Sequence, residues 1–318
     1  MMIKNEADIL NYLLSRINTS SKDVIKSIGD DCAVIKASQK RYLVITTDTS
    51  LQGPHFTEDY SSFEIGYKCL ATNLSDIAAM GCIPKYILMA ITIPSIDTAW
   101  IKGFYKGIKK LSVKHNIALI GGDTNKGPLS ISIQVIGENK SKIIYRDKAK
   151  INDDIYVTGK IGLARAALMI KNKKRFLNEF KILKKYLHTP IPRIEIGLEI
   201  ARYAHSCIDL SDGISKDLTT IIQQSNLGAD IFIEKIPTLK FIKTILPEEQ
   251  YYESLIGGGE DYELCFTASV KNRENIKKIS KKLKTPITII GKTTNNSINY
   301  YLNKELINLN IVGFDHFS

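Results

Sequence analysis

One aspartate restricts the folds open to this chain more than any other residue. Asp76 lies between Leu74 and Ile77-Ala78-Ala79, inside an apolar run that reads as a helix. A lone carboxylate taken out of water costs several kcal/mol. A fold that packs this helix must therefore bring something cationic to Asp76. The helix opens at Ser61 with Glu64 three residues on, the spacing of a capping box, in which hydroxyl and carboxylate each satisfy an orphan backbone N–H.

Asp76 is one of a set. Gly29-Asp30-Asp31, Thr46-Thr47-Asp48-Thr49, Asn73-Leu74-Ser75-Asp76, Gly121-Gly122-Asp123-Thr124 and Asp209-Leu210-Ser211-Asp212-Gly213 all place aspartates beside Gly, Ser or Thr at the mouth of apolar runs. Singly, such a segment reads as a turn or a helix cap. Asp48 follows the run Tyr42 to Thr47, which puts its carboxylate at the C-terminal lip of a sheet, where ligands gather in open α/β folds. Almost no basic residue lies close in sequence to Asp30, Asp48, Asp76 or Asp123, and the His and Cys set that zinc needs is missing. Hard oxygen ligands suit magnesium, which binds through carboxylates, waters and phosphates. Gly121-Gly122 and Gly257-Gly258-Gly259 are the loops whose bare backbone could approach an anion. Gly291-Lys292-Thr293 fails as a P-loop because Pro286 stands where the first glycine must be, and neither GxGxxG nor a GxSxG elbow occurs.

The surrounding pattern mixes helix and strand. A helix is expected near Ala7 to Ile17, strands at Ala33 to Lys36 and Tyr42 to Thr47, and a strand near Tyr86 to Ile93. A helix from Asp97 to His115 and strands at Ala118 to Ile120, Leu129 to Ile136 and Ile155 to Thr158 follow. With 318 residues, two α/β (α+β) domains are expected, divided near 149 into residues 1–148 and 149–318. The net charge of +11 concentrates in Lys171 to Lys185 and Lys271 to Lys284, where basic and apolar residues alternate as on wet helix faces, so no nucleic-acid partner is expected. Five scattered cysteines without CxxC read as buried free thiols. With no apolar run of about 18 residues and no signal peptide, no membrane association is expected and the cytosol is the expected compartment.

In order, these segments resemble the thiamine-monophosphate kinases, of the superfamily that includes aminoimidazole ribonucleotide synthetase. The matching blocks are Gly29 to Ala33, Thr47-Asp48 through Gly53-Pro54-His55-Phe56, Asn73 to Gly81, Gly121 to Thr124, Asp209 to Gly213, Gly258-Gly259-Glu260-Asp261-Tyr262-Glu263-Leu264 and Gly313-Phe314-Asp315-His316-Phe317. The resemblance implies a PurM-like two-domain architecture, with an N-terminal α/β domain that dimerises through a mixed sheet and a C-terminal α/β domain that covers the active-site cleft. It implies direct, magnesium-assisted transfer of the γ-phosphoryl of ATP to the phosphate of thiamine monophosphate. By that likeness Asp30, Thr46, Thr47, Asp48, Asp76, Asp123, Asp209 and Asp212 hold several magnesium ions, and Tyr105, Gly122, Asp123, Arg146 and Ser211 contact ATP. His55, Glu260 and Phe314 line the thiamine-phosphate pocket, and Asp48, Asp123 and Arg146 are the catalytic set. The alternatives are a superfamily enzyme with another acceptor and a non-catalytic magnesium-nucleotide binder.

Overall fold

The computed structural model describes residues 21–308 and Gly313. The helix expected near Ala7 to Ile17 and the candidate Phe314 lie outside the described residues. Two sheets carry the fold. The first has six strands in the order β1-β2-β3-β6-β4-β5, comprising β1 (Val24–Lys26), β2 (Ala33–Lys36), β3 (Tyr42–Leu51), β4 (Cys82–Ile93), β5 (Ala118–Lys126) and β6 (Ser130–Asn139). The second runs β13-β12-β9-β11-β7-β10-β8. Its strands are β7 (Asp153–Thr158), β8 (Ala204–Asp209), β9 (Gly228–Phe232), β10 (Leu264–Ser269), β11 (Ile287–Thr294), β12 (Ile298–Leu302) and β13 (Glu305–Ile307).

Helices α1 (Ser62–Ala79) and α2 (Thr98–His115) connect strands of the first sheet. Both begin where local chemistry says they should: Ser61 and Glu64 form the reciprocal capping box, and the Asp97 carboxylate accepts from Ala99 and Trp100 N–H. The two helices cross at contact distance because glycines leave room. A Cβ at Gly66 would stand 2.1 Å from the Phe104 carbonyl oxygen, and one at Gly107 would stand 2.2 Å from that of Phe63.

α1 packs on β3, β4 and β6 and also meets β8 and α5 (Ile194–Ile200) of the other half. Leu70, Leu74, Ile77 and Met80 from this region, together with Leu163, Ala166, Ile200 and Phe266 from beyond residue 150, are fully buried in one continuous core. A second core, built on Ile155, Ile208, Leu218, Ile221 and Ile231, fills the opposite face of the second sheet against α6 (Ile214–Gln224).

Five strands, β3 to β7, run past their expected ends. β3 continues to Leu51 because β6 pairs with it over its whole length, from Leu43↔Glu138 to Leu51↔Ser130. Asp48 is therefore inside a strand, opposite Ile133, and not at its lip. β5 continues to Lys126 along β4, so Gly121-Gly122 is strand and not loop. β4 starts at Cys82, with a register shift between Pro84 and Tyr86 that accommodates the proline. The five cysteines are free and buried, as expected. Lysines of α4 (Leu177–His188) and of the helix Arg273–Lys282 mostly face water, with Leu183, Ile276 and Ile279 beneath them. Among the described residues no helix is long and apolar enough to cross a membrane.

Candidate active site

The alternation of β3 sorts the threonine–aspartate segment. Thr46 and Asp48 point toward α1, while Thr47 is exposed on the other face, so the two threonine side chains cannot share a ligand sphere. The Thr46 hydroxyl donates to Asp76 Oδ2 at 2.5 Å. One turn before Asp76, Asn73 accepts from the Asp48 N–H at 3.1 Å and donates to the Cys69 carbonyl, which locks α1 to the strand.

Asp76 is not sealed in the helix core but opens on a cavity, and Asp209 comes to it from the end of β8. Asp31, Asp76 and Asp209 each offer a carboxylate oxygen within 4.8 Å of the others. Burial pushes the Asp76 carboxyl well above its ordinary pKa, and Asp48, Asp209 and Asp31 push it further, against the Thr46 hydrogen bond. Asp209 is raised in the same way by burial and by Asp31, and burial raises Asp48. Asp31 is the ligand candidate that the sequence missed. Asp30 and Asp31 are adjacent in a turn, where no periodicity tells which of the two faces inward. Asp30 binds the Arg146 N–H at 3.3 Å and Lys26 at 3.5 Å, and burial followed by Asp31 raises its pKa to about 6.

Arg146, in the short 3-10 turn Arg146–Lys148, clasps Asp31 with two bonds, Nη2 to Oδ1 at 2.7 Å and Nε to Oδ2 at 3.1 Å. Among the described residues this is the only ion pair to the three-carboxylate cluster. Three carboxylates, two buried and one half-buried, facing one guanidinium leave a deficit of positive charge. Oxygen donors, a hydroxyl beside them and the raised carboxyls of Asp76 and Asp209 are what a divalent cation such as magnesium would relieve, so the donor set fits that ion.

The cavity has a volume of about 490 Å³ and is lined by Asp48, Asp76, Asp209, Ser211 and Asp212, with His55, Lys68, Glu260 and Gly313 also on its walls. The Gly258 to Leu264 block explains how distant residues meet here. Its backbone zips along the chain after β8: Glu260 N–H bonds to Ser211 O, Tyr262 N–H to Leu210 O and Leu210 N–H to Glu263 O. Cβ atoms at Gly258 and Gly259 would lie 2.4 Å from the carbonyl oxygens of Ser254 and Ser211, so these glycines permit close backbone packing. The block's acids divide the work. Glu260 reaches the cavity, Asp261 accepts the Gly162 N–H at the start of α3 (Leu163–Ile170), and Glu263 pairs with Arg193. Asp217 accepts the N–H groups of Asp212 and Gly213 and so fixes the turn that carries Asp212, and burial, reinforced by Asp212, raises its pKa to about 8.

Tyr105, Gly122 and Asp123 are not brought to this cavity. Asp123 is exposed on the edge strand β5, in register with Ala90, Ser132 and Thr49 and so on the sheet face opposite Asp48. Three strand spacings, about 14 Å, separate the two strands. Gly122 has a packing reason of its own, since a Cβ would stand 1.9 Å from the Met89 carbonyl oxygen. Tyr105 is partly exposed on α2.

Comparison with known proteins places this geometry. The chain matches the AIR synthase related protein family, its N-terminal domain over residues 29–139 and its C-terminal domain over residues 150–301. It is 40% identical over 321 residues to the thiamine-monophosphate kinase of Buchnera aphidicola subsp. Schizaphis graminum, covering 98% of this chain and 99% of that protein. To the enzyme of the same name from Escherichia coli strain K12 it is 36% identical, covering 100% and 99%. Among solved structures, the thiamine-monophosphate kinase of Stenotrophomonas maltophilia K279a superposes with a TM-score of 0.80 at 33% identity, covering 94% of this chain and 96% of that one. AaThiL complexed with AMPPCP and TMP superposes with a TM-score of 0.84 at 26% identity, covering 99% of each. With full-length similarity at this level and both domains matched, the chain belongs to the thiamine-monophosphate kinase family.

Proposed function

We propose that this protein transfers the γ-phosphoryl group of ATP to the phosphate of thiamine monophosphate, giving thiamine diphosphate, with magnesium ions held by its carboxylates. The observation that carries the reading is the single cavity in which Asp48, Asp76, Asp209 and Asp212 stand together with His55 and Glu260. Phosphoryl transfer is governed by positioning and by neutralising charge, and this arrangement offers both. Magnesium, when bound, would supply the positive charge that lets two phosphates approach each other. Asp76 and Asp209, with Thr46 and Asp31 beside them, would hold it, and Asp48 and Asp212 complete the acidic wall. Arg146 keeps Asp31 in place and carries the remaining positive charge at the cluster. The acceptor phosphate brings its own nucleophilic oxygen, so no side chain need act as a general base. His55 and Glu260 contact the acceptor, and Phe314 belongs with them by the family pattern.

Gly122 and Asp123 fit this reading when a second copy supplies them, whereas Tyr105 sits on α2, against α1 and away from that face. The face of the six-stranded sheet away from α1 exposes Leu51, Tyr86 and Ala90, and β5 exposes Leu119 and Ile120 at the edge. Two copies meeting on this side would cover apolar surface and could offer the Asp123 of one to the cluster of the other. The test of the reaction is an acceptor screen with ATP and magnesium, reading ADP release. Thiamine monophosphate should drive turnover at least a hundredfold above free thiamine and unrelated monophosphates. Equal rates with any acceptor would overturn the assignment.

A further inference from the structure

Lys68 occupies a position in α1 flanked by buried Ile65, Cys69 and Leu70, and it is itself only 4% exposed. A lysine this deep must be paired and hydrogen-bonded. Its ammonium forms an ion pair with Glu260, donates to the His55 carbonyl at 2.9 Å and to the Tyr60 hydroxyl at 3.5 Å, and stands 5.3 Å from the centre of the Tyr60 ring. The donors of one side chain are thus spent on the two stretches of chain that bring His55 and Glu260 to the cavity wall, one from each half of the molecule. Glu260 and Tyr262 also sit at φ of 74° and 50°, a left-handed conformation that non-glycine residues hold only when their surroundings impose it. The Glu260 and Tyr262 N–H groups bond to the Ser211 and Leu210 carbonyls on one side, and the Glu260 carboxylate pairs with Lys68 on the other.

We propose that Lys68 is a positioning residue for the acceptor: it sets the separation of the His55 loop and the Glu260 carboxylate, and through them the affinity for the molecule that receives the phosphoryl group. The inference rests on the assignment of His55 and Glu260 to the acceptor site. A salt bridge that served only the fold would lower stability and disturb both substrates alike. A positioning role predicts a divided effect.

The test is steady-state kinetics on the wild type, Lys68→Met, Lys68→Arg, Glu260→Gln and the double variant Lys68→Met/Glu260→Gln, varying ATP and thiamine monophosphate in turn. Wild-type turnover of thiamine monophosphate is read first, and its absence would overturn the reaction and not the role of Lys68 within an acceptor pocket. Lys68→Met should raise KM for the acceptor tenfold or more and leave KM for ATP within twofold, and Lys68→Arg should recover most of the loss. Because Lys68 acts largely through Glu260, adding Lys68→Met to Glu260→Gln should raise the acceptor KM by less than threefold. That last comparison stands even if Lys68→Met alone does not fold, since the double variant has no orphaned carboxylate. An unchanged acceptor KM, an equal rise in both KM values, or a full tenfold further loss in the Glu260→Gln background would overturn the proposal.

Discussion

At the scale of single residues, burial raises the carboxyls of Asp76, Asp209 and Asp48 above their ordinary pKa. The sign of the effect follows from linkage. A carboxyl raised by burial is ionised in the unfolded chain above pH of about 4 but resists ionisation when folded, so it penalises the fold increasingly as pH rises through that interval. Metal-free Asp76→Asn should therefore melt at or above the wild-type temperature near neutral pH. With magnesium and a non-hydrolysable ATP analogue the order should reverse, because ligands that bind only the folded state stabilise it by mass action and the variant lacks a charge to bind them. Thermal melts with and without both ligands check this, and equal shifts in the two proteins would remove Asp76 from the metal site. The place of Asp76 inside an apolar helix was readable in the sequence, but its opening on a cavity was not. Nor was Asp31, because neighbouring aspartates in a turn look alike until Arg146, more than a hundred residues away, comes to one of them.

At the scale of elements, helix starts were legible because the chemistry that sets them is local. The Ser61–Glu64 box and the Asp97 cap each lie within three residues of what they cap. Strand ends were not, because the partner decides them: β3 and β5 stop where β6 and β4 stop offering hydrogen bonds. This is why Asp48 was expected at a strand end and Gly121-Gly122 in a loop. The crossing of α1 and α2 is likewise invisible without the fold, though its glycines are plain in the sequence. Gly66→Ala places a methyl carbon against the Phe104 carbonyl and should destabilise the protein by about 1 to 3 kcal/mol, as overpacking does. The midpoint of urea unfolding measures it, and an unchanged midpoint would mean that the helices part without cost.

At the scale of the whole molecule, the two-sheet α/β architecture matches what the ordered motifs implied, and Asp48, Asp76, Asp209, Asp212, His55 and Glu260, far apart in sequence, line one cavity. The separation of Asp123 from that cavity does not follow from any motif, since it depends on strand order. It yields a test by complementation. If Asp123 serves the site of a second copy, Asp76→Ala and Asp123→Ala are each inactive alone, yet an equal mixture allowed to exchange subunits contains hybrid pairs with one intact site. Random pairing makes half the dimers hybrid with one working site of two, so about a quarter of wild-type activity should return. No recovery, with exchange verified, would return Asp123 to a structural role on β5.

The continuous interior beneath α1 bears on how such a molecule can work at all. Leu74, Ile77, Ile200 and Phe266 belong to both halves' packing at once, and Gly197 lies so near the Ala78 carbonyl that a Cβ there would stand 2.0 Å away. Interiors this dense resist sliding. Large hinge opening between the halves would tear a shared core, so substrates meet cavity walls that are already in place rather than two halves that close on them.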